Sequence, residues 1–362
     1  MRTRHSVIED SHSIATNGIH TFDLENMGPV SRITILPRVT NPNAWVSVGH
    51  PDEIISNIQI IDGSDVLFAM SGGEARALAY YSTGKVPVSS LNSMALEWSY
   101  APIDIYFGRH LWDKELAFDP SQYSNPQLKI TTVIAAHMTA AAAGFVTVVA
   151  DVFDEAPPSI SGMFIQKVHH NLTLVAAAVS YVDLPDDLPI RLMMVGSYSD
   201  SQAPEYQVTS LRLSEAGDKH LIFDEPLDEL IAYFASQYPP WHEKISTQVK
   251  VAHDSFWITP SFEQTVVLVG TNDSDAPGQM VAASGGQMRT VEASAVTTVE
   301  GIARGWCPNG MVPLDFRGPD TGPADYWDVK KGGGAKLRFT AAAGPDTTPT
   351  FNTVIQSFRA KK

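Results

Sequence analysis

The pentapeptide QLKIT at residues 127–131 returns as KLRFT at residues 336–340. In both, apolar and polar residues alternate, the period-2 pattern of a strand with one face buried. PIDIYFGRHLWDKELAFDPSQYSNP (residues 102–126) leads into the first, and VPLDFRGPDTGPADYWDVKKGGGA (residues 312–335) into the second. Each passage enters on Pro-Ile/Leu-Asp and leaves on Leu-Lys/Arg-Ile/Phe-Thr, while the charges between differ. The first packs Arg109, His110, Asp113, Lys114, Glu115 and Asp119 close together. That cluster is either a reactive site or one connection of a fold that occurs twice.

Other matches favour the repeat. SNIQI (56–60) pairs with TSLRL (209–213), and ALAYYS (77–82) with LIAYFA (230–235). Ile58 thus matches Leu211, and Tyr80 matches Tyr233. APIDI (101–105) meets VPLDF (312–316), and FVTVV (145–149) meets FNTVI (351–355). Five matches in one order predict two copies of one fold. The spacing between matched segments widens from 153 to 211 residues, a gain of 58 between Ala235 and Val312. Insertions of this kind go into surface loops, because a buried loop strands its polar backbone. The alternating runs QTVVLVG (264–270) and EASAVTTVEGIARGW (292–306) predict a structured projection with its own strands.

Composition agrees. With 25 Gly and 24 Pro scattered through 362 residues, the chain is cut into many short elements, which favours an all-β class. Hydrophobic residues make up 44% and charged residues 18%, the balance of a large core with few solvated charges. A net charge of −15 argues against nucleic-acid binding, which needs a basic stripe. One cysteine, Cys307, excludes an internal disulfide framework. The first twenty residues lack the apolar run of a signal peptide. TTVIAAHMTAAAAGFVTVVA (131–150) is interrupted by His137 and Gly144, and reads as two buried strands around a small-residue turn rather than a membrane span.

The expected architecture is two tandem eight-stranded antiparallel jelly rolls with a few short helices in loops. Residues 1–29 read as an N-terminal arm, 30–153 as the first roll and 154–161, with EAPPSIS, as a linker. Residues 162–362 read as the second roll, with a large loop insertion around 236–311. GGEARALAYYS (72–82) and PLDELIAYFA (226–235) read as short helices.

Candidate chemistry is thin. Asp113 and Glu115 could pair as acid and base with His110, yet Asp119-Pro120 and Asn125-Pro126 start turns, and the second copy orders its charges differently. No two of the eleven histidines are spaced as H-x-H, so the metal pair of a duplicated cupin is missing. His169 and His170 are adjacent and would point to opposite faces of a strand. Gly84-Lys85 lacks the glycine of a phosphate loop. Asn272 to Asp275 offers oxygens without a calcium-loop pattern. Lys330 to Arg338 reads as a glycine-rich turn, and Cys307 as a packed small residue. No catalytic, cofactor or metal residues are assigned. Basic ends, MRTRHS and FRAKK, flank an acidic chain and could reach a neighbour or an anionic lipid surface.

PIDIYFGRHLWDKELAFDPSQYSNPQLKIT and VDLPDDLPIRLMMV (182–195) resemble segments of double jelly-roll major capsid proteins. These build tailless icosahedral viruses with an internal membrane, in the lineage of adenovirus hexon. The resemblance is nearest to the lipid-containing phages of flavobacteria, and spans about residues 30–358 in architecture. It implies a structural protein of the virion capsid, not an enzyme, made in the host cytoplasm. It implies a homotrimer with pseudo-sixfold symmetry, packed against neighbouring trimers, penton or other minor capsid proteins, and the internal membrane near the basic termini. It implies no cofactor and no direct nucleic-acid contact. Other readings are a tandem jelly-roll enzyme, and a carbohydrate-binding or receptor-binding protein.

Overall fold

Alternating strands need a partner layer on their apolar side, and the computed structural model supplies three layers. It describes residues 2–14, 17–25, 27–40, 49–92, 97–134, 143–155, 159–199, 201–249, 255–270, 279–282, 285–292, 297–315, 322–345 and 350–361. The first half contains β1 (Thr3–Ser13), β2 (Gly18–Asp23), β3 (Val30–Thr40), β4 (Ile55–Asp62), β5 (Asp65–Met70) and α1 (Gly72–Thr83). It continues with β6 (Ser90–Asn92), β7 (Trp98–Tyr100), β8 (Ile103–Tyr106), β9 (Pro126–Thr132) and β10 (Ala143–Phe153). The second half opens with β11 (Gly162–Thr173), β12 (Val179–Asp183), β13 (Ile190–Gly196), α2 (Pro204–Gln207), β14 (Val208–Glu215), β15 (His220–Pro226) and α3 (Leu227–Ala235). Then come β16 (Trp241–Val249), β17 (Ser255–Trp257), β18 (Pro260–Gly270), β19 (Gln279–Ala282), β20 (Gln287–Glu292) and β21 (Thr297–Pro308). β22 (Met311–Leu314), β23 (Ala335–Ala341) and β24 (Thr350–Ala360) complete the chain.

The duplication is visible in the pairing. The first half orders its strands β1-β10-β3-β8 in one sheet and β2-β9-β4-β5 in the facing one. The second half repeats both orders as β11-β24-β13-β22 and β12-β23-β14-β15. Each copy is an eight-stranded jelly roll with a helix after its fifth strand. Register follows too. Ile58 pairs Ile130 and Ile60 pairs Leu128; Leu211 pairs Phe339 and Leu213 pairs Leu337. These are the residues matched between SNIQI and TSLRL, and between QLKIT and KLRFT. The FVTVV–FNTVI match is one residue out. Val148 faces the interior of its roll, but in the second roll Ile355, not Val354, does so. A one-residue slip exchanges the two faces of a strand.

Residues 1–29, expected as an arm, instead supply the first two strands of the first roll. β1 pairs β10, and β2 pairs β9. Sequence periodicity missed β1 because it is an edge strand, exposed along much of its length, with Ile8 half-buried against the core. The first roll therefore starts near Thr3. Residues 154–161 are not a free connection either: Asp154 N–H donates to Arg2 O, and Ser161 N–H to Glu115 O. The apolar stretch at 131–150 ends one strand at Thr132 and begins the next at Ala143. Among the described residues no helix is long and apolar enough to cross a membrane.

The two rolls share sheets. β5 pairs β11 in parallel, so the β2-β9-β4-β5 sheet runs on into β11-β24-β13-β22. The insertion has its own strands, as its sequence predicts, but it is not only a projection. β16, β21 and β18 extend the other long sheet through parallel pairing of β16 with β6. β17, β20 and β19 form a separate small sheet. One core lies between the two long sheets and holds Ile33, Ile35, Ile58, Ile130, Leu192, Met194, Trp241 and α1. A second lies beneath, between β13–β24 and β14–β23, and holds Met193, Val195, Leu211, Phe339 and α3. Successive residues of β13 thus face different cores. This is why IRLMMVG is apolar almost without interruption and buried at every position.

Candidate functional site

The 106–119 cluster holds a shape. Gly108 packs where a Cβ would stand 2.7 Å from Leu116 O and 2.8 Å from Asp113 Cβ. Arg109 Nε and Nη2 donate to the two oxygens of Asp113 at 2.8 and 2.9 Å, and Nη2 also reaches Glu115 at 2.8 Å. Asp113 accepts from the backbone N–H of Arg109 and Glu115 as well. Burial opposes its charge, but these hydrogen bonds more than offset that and hold its carboxyl below the usual range. Asp113 is thus committed as an acceptor and is no general acid. His110 is exposed, with Nδ1 3.1 Å from Leu111 O. Asp119 caps the turn at Pro120–Gln122.

The knot lays the chain along the seam between the rolls. Ala117 N–H donates to Gly162 O, and Phe164 N–H to Phe107 O. Gly162 is needed there, since a Cβ would run into the Arg359 carbonyl oxygen. Replacing Arg109 with alanine strands the nearly buried Asp113 and is expected to cost about 2 kcal/mol. Urea unfolding monitored by tryptophan fluorescence measures it.

A second cluster, missed in the sequence, sits inside the junction. His50 Nδ1 lies 2.7 Å from Asp52 Oδ1, and Arg76 Nη1 donates to Asp52 Oδ2 at 2.6 Å. Glu243 Oε2 is 3.8 Å from His50 Nε2 and accepts from Thr259 Oγ1 at 2.6 Å. Asn309 Nδ2 donates to Asp52 Oδ2 at 3.1 Å and to Gly73 O at 2.9 Å. The Arg76 guanidinium lies 5.1 Å from the Trp241 ring centre. The first-roll members, His50, Asp52 and Arg76, precede the insertion members, Glu243, Thr259 and Asn309, by well over a hundred residues. No local spacing announces them. The one local signal is Arg76 itself, a charge amid the small and apolar residues of α1.

Every ionised group of this cluster is buried. Burial opposes the charge of His50, but Asp52 and Glu243 more than offset it and push its pKa up to about 9. Burial likewise opposes ionisation of Asp52, and His50 and Arg76 hold it well below the carboxylate range. Glu243 is lowered against its own burial by His50 and Arg76. The stabilisation from His50 is complete below its unfolded value of about 6.5 and lost as pH rises through about 9. That from Asp52 and Glu243 is complete above about pH 4 and lost on acidification. The denaturant midpoint is expected to fall between pH 6.5 and pH 9, and His50→Gln to remove that alkaline slope. A slope unchanged in the variant would assign it elsewhere.

The rest of the junction fastens α1 to the second roll. Arg191 Nη1 donates to Ser82 Oγ at 2.8 Å and Nη2 to Ser82 O at 3.0 Å, where a cation meets the carbonyl end of a helix. The Tyr81 hydroxyl donates to Met311 O at 2.8 Å, and Asn352 Nδ2 to Glu74 Oε1 at 2.6 Å. The Tyr80 hydroxyl donates to Pro239 O.

The remaining sequence candidates do not converge. His169 is exposed, with Nε2 3.2 Å from Asp183 O. Lys330 to Arg338 forms a turn into β23, with Gly333 and Gly334 at φ 79° and 84°. Cys307 is buried, with a pKa raised by that burial. Asn272 to Asp275 lies outside the described residues. Among the described residues no three His, Cys, Asp or Glu side chains are placed to hold a metal ion. The basic ends are partly neutralised in the chain: Arg4 pairs with Asp154, Arg359 with Asp65 and Lys361 with Asp119. Apolar side chains do reach the surface. Val88 and Ile302 are exposed at a groove of about 520 Å³ floored by β16 and β21, and exposed Val267 of β18 pairs across from Ile302. Contiguous apolar surface of this kind marks interaction sites.

No family model and no curated protein matches the sequence. Solved structures do match. The MCP of STIV, the Sulfolobus turreted icosahedral virus, aligns at TM-score 0.61 with 10% identity, over 99% of this chain and 97% of that one. The PBCV-1 virus capsid aligns at 0.59 with 9% identity, over 99% and 94%. The major capsid protein P2 from bacteriophage PM2 aligns at 0.56 with 9% identity, over 100% and 98%. The chain therefore carries the double jelly-roll fold of these capsid proteins along its whole length.

Proposed function

We propose that this chain is the major capsid protein of an icosahedral virion, with a structural and not a catalytic role. One observation carries the reading: a two-roll unit fused through continuous sheets aligns end to end with capsid proteins of three viruses. The interior supports it. The charged clusters are spent on holding the rolls together: Arg109 pairs with Asp113 and Glu115, and Asp52 with His50 and Arg76.

On this reading three chains associate. Three chains of two similar rolls give six similar units, a pseudo-hexamer that fills hexagonal positions of a closed lattice. Neighbouring trimers, minor proteins at the vertices and an internal membrane complete the set of partners. The membrane side rests on the resemblance alone. Synthesis in the host cytoplasm precedes incorporation into the virion.

Light scattering of the purified chain tests the association. A species near three times 39.3 kDa is expected. A stable monomer at every concentration would sink the reading.

A further inference from the structure

The first roll closes one of its edges with titratable side chains. β1 and β2 end its two facing sheets, β1 paired with β10 and β2 with β9. Register shifts in β1, after Val7 and again after Glu9, set Glu9 and His12 opposite Val148 and Val146, which face the core. His20 stands opposite Ile130, in the same core. Two histidines from different sheets thus meet at the mouth of the roll. His12 Nε2 lies 2.9 Å from His20 Nδ1, with the rings edge-on, and the His12 ring centre lies 5.3 Å from that of Phe22.

The hydrogen bonds fix the protons. The Thr132 hydroxyl donates to Gly18 O at 3.4 Å, so its oxygen accepts from His20 Nε2–H at 3.2 Å. A neutral His20 then keeps a lone pair on Nδ1, which accepts from His12 Nε2–H. His12 Nδ1 faces Glu9 Oε1 at 3.5 Å, so His12 carries the one positive charge this arrangement holds. A second proton, on His20 Nδ1, sets donor against donor. Among the described residues no acid of β2, β9 or β10 faces the pair; those strands present Phe22, Ile130, Thr132 and Val146. Asp10 binds Ser11 and Thr147, Asp23 binds Gln127, and Lys129 stands opposite exposed Thr21.

The second roll builds the corresponding corner without charge. Between β11 and β12 it packs Leu172, Leu174 and Val182 on its own core, and β11 lies inside its sheet, between β5 and β24. The titratable pair belongs to the copy whose edge is free.

We propose that His12 and His20 form an acid-sensitive latch: one shared proton holds β1 to β2, and a proton on each ring opens that end of the first roll. Burial, and then the charge of His12, lower the pKa of His20 below its ordinary 6.5. Closure is therefore complete above that value and lost as pH falls beneath it. At the other end of β1, His5 Nδ1 lies 3.1 Å from Asp151, and a protonated ring gains there. Opening thus starts at the β1–β2 turn and not at Thr3.

Hydrogen–deuterium exchange of the full chain, corrected for the intrinsic pH dependence of exchange, tests the latch. From about pH 7.5 to about pH 5, amides around His12 and His20 are expected to lose about tenfold in protection, while those of β24 keep theirs. His20→Gln leaves an amide that does not titrate, and is expected to abolish the loss. A His12→Leu, His20→Leu double variant copies the apolar corner of the second roll and is expected to do the same, so a glutamine variant that fails to fold does not decide the matter. Wild-type protection that stays constant over this range, or a loss that persists in the double variant, would overturn the latch. Either result leaves the capsid reading standing.

Discussion

Arg76→Ala is expected to destabilise the chain by roughly 3–5 kcal/mol, the cost of breaking a buried ion pair by removing one partner. Arg76 is fully buried, and Asp52 depends on it for one of its two ionic contacts. Without the guanidinium the carboxylate keeps its charge beside His50 alone, in a site closed to water. The same change removes the cation from the face of Trp241. Total stabilities of folded domains are of order 5–15 kcal/mol, so the loss takes a large share. Guanidinium unfolding of the purified variant measures it. A second variant identifies the cause. Adding Asp52→Asn to Arg76→Met removes both charges, and is expected to recover part of the loss because no uncompensated ion remains. A double variant as unstable as Arg76→Ala would place the cost in packing instead.

Trp241→Ala is expected to cost about 3–5 kcal/mol, the range for deleting a large buried aromatic. Trp241 is fully buried and opens β16, the first strand of the insertion. Its ring packs edge-on to Tyr80 at 5.4 Å between centres and donates from Nε1 to Glu243 at 3.3 Å. If the insertion were only a projection, a change in it would leave the main unfolding transition in place. The shared core predicts that the whole transition moves. Because Arg76 lies over the same ring, the losses from Trp241→Ala and Arg76→Ala are expected to be less than additive. Differential scanning calorimetry of both single variants and the double measures the coupling.

The repeat was legible because sheet register preserves it. Ile58 and Leu211 must face inward on equivalent strands, and so must Leu128 and Leu337, so alternation survives where identity does not. β13 was legible as strand but not as a strand between two cores; its apolar run carries no mark of which residue faces which side. β1 was not legible, because an exposed edge strand needs few apolar residues and TRHSVIEDSHS shows little periodicity. The 106–119 cluster drew attention through residue type alone. Geometry then showed Arg109 and Asp113 closing on one another. The junction cluster was out of reach of spacing arguments, since Asp52, Arg76, Glu243 and Asn309 meet only after both rolls have formed. Pairing of β16 with β6 was equally hidden, because it depends on where the first roll leaves its sheet open.

The central claim is that two fused rolls make a building block for a closed shell. Cryo-electron microscopy of particles assembled from this chain tests it most directly. The account predicts an icosahedral lattice of capsomers with six similar lobes, three chains in each. Particles whose capsomers contain a number of chains other than three, or a chain that forms no lattice under any assembly condition, would contradict it.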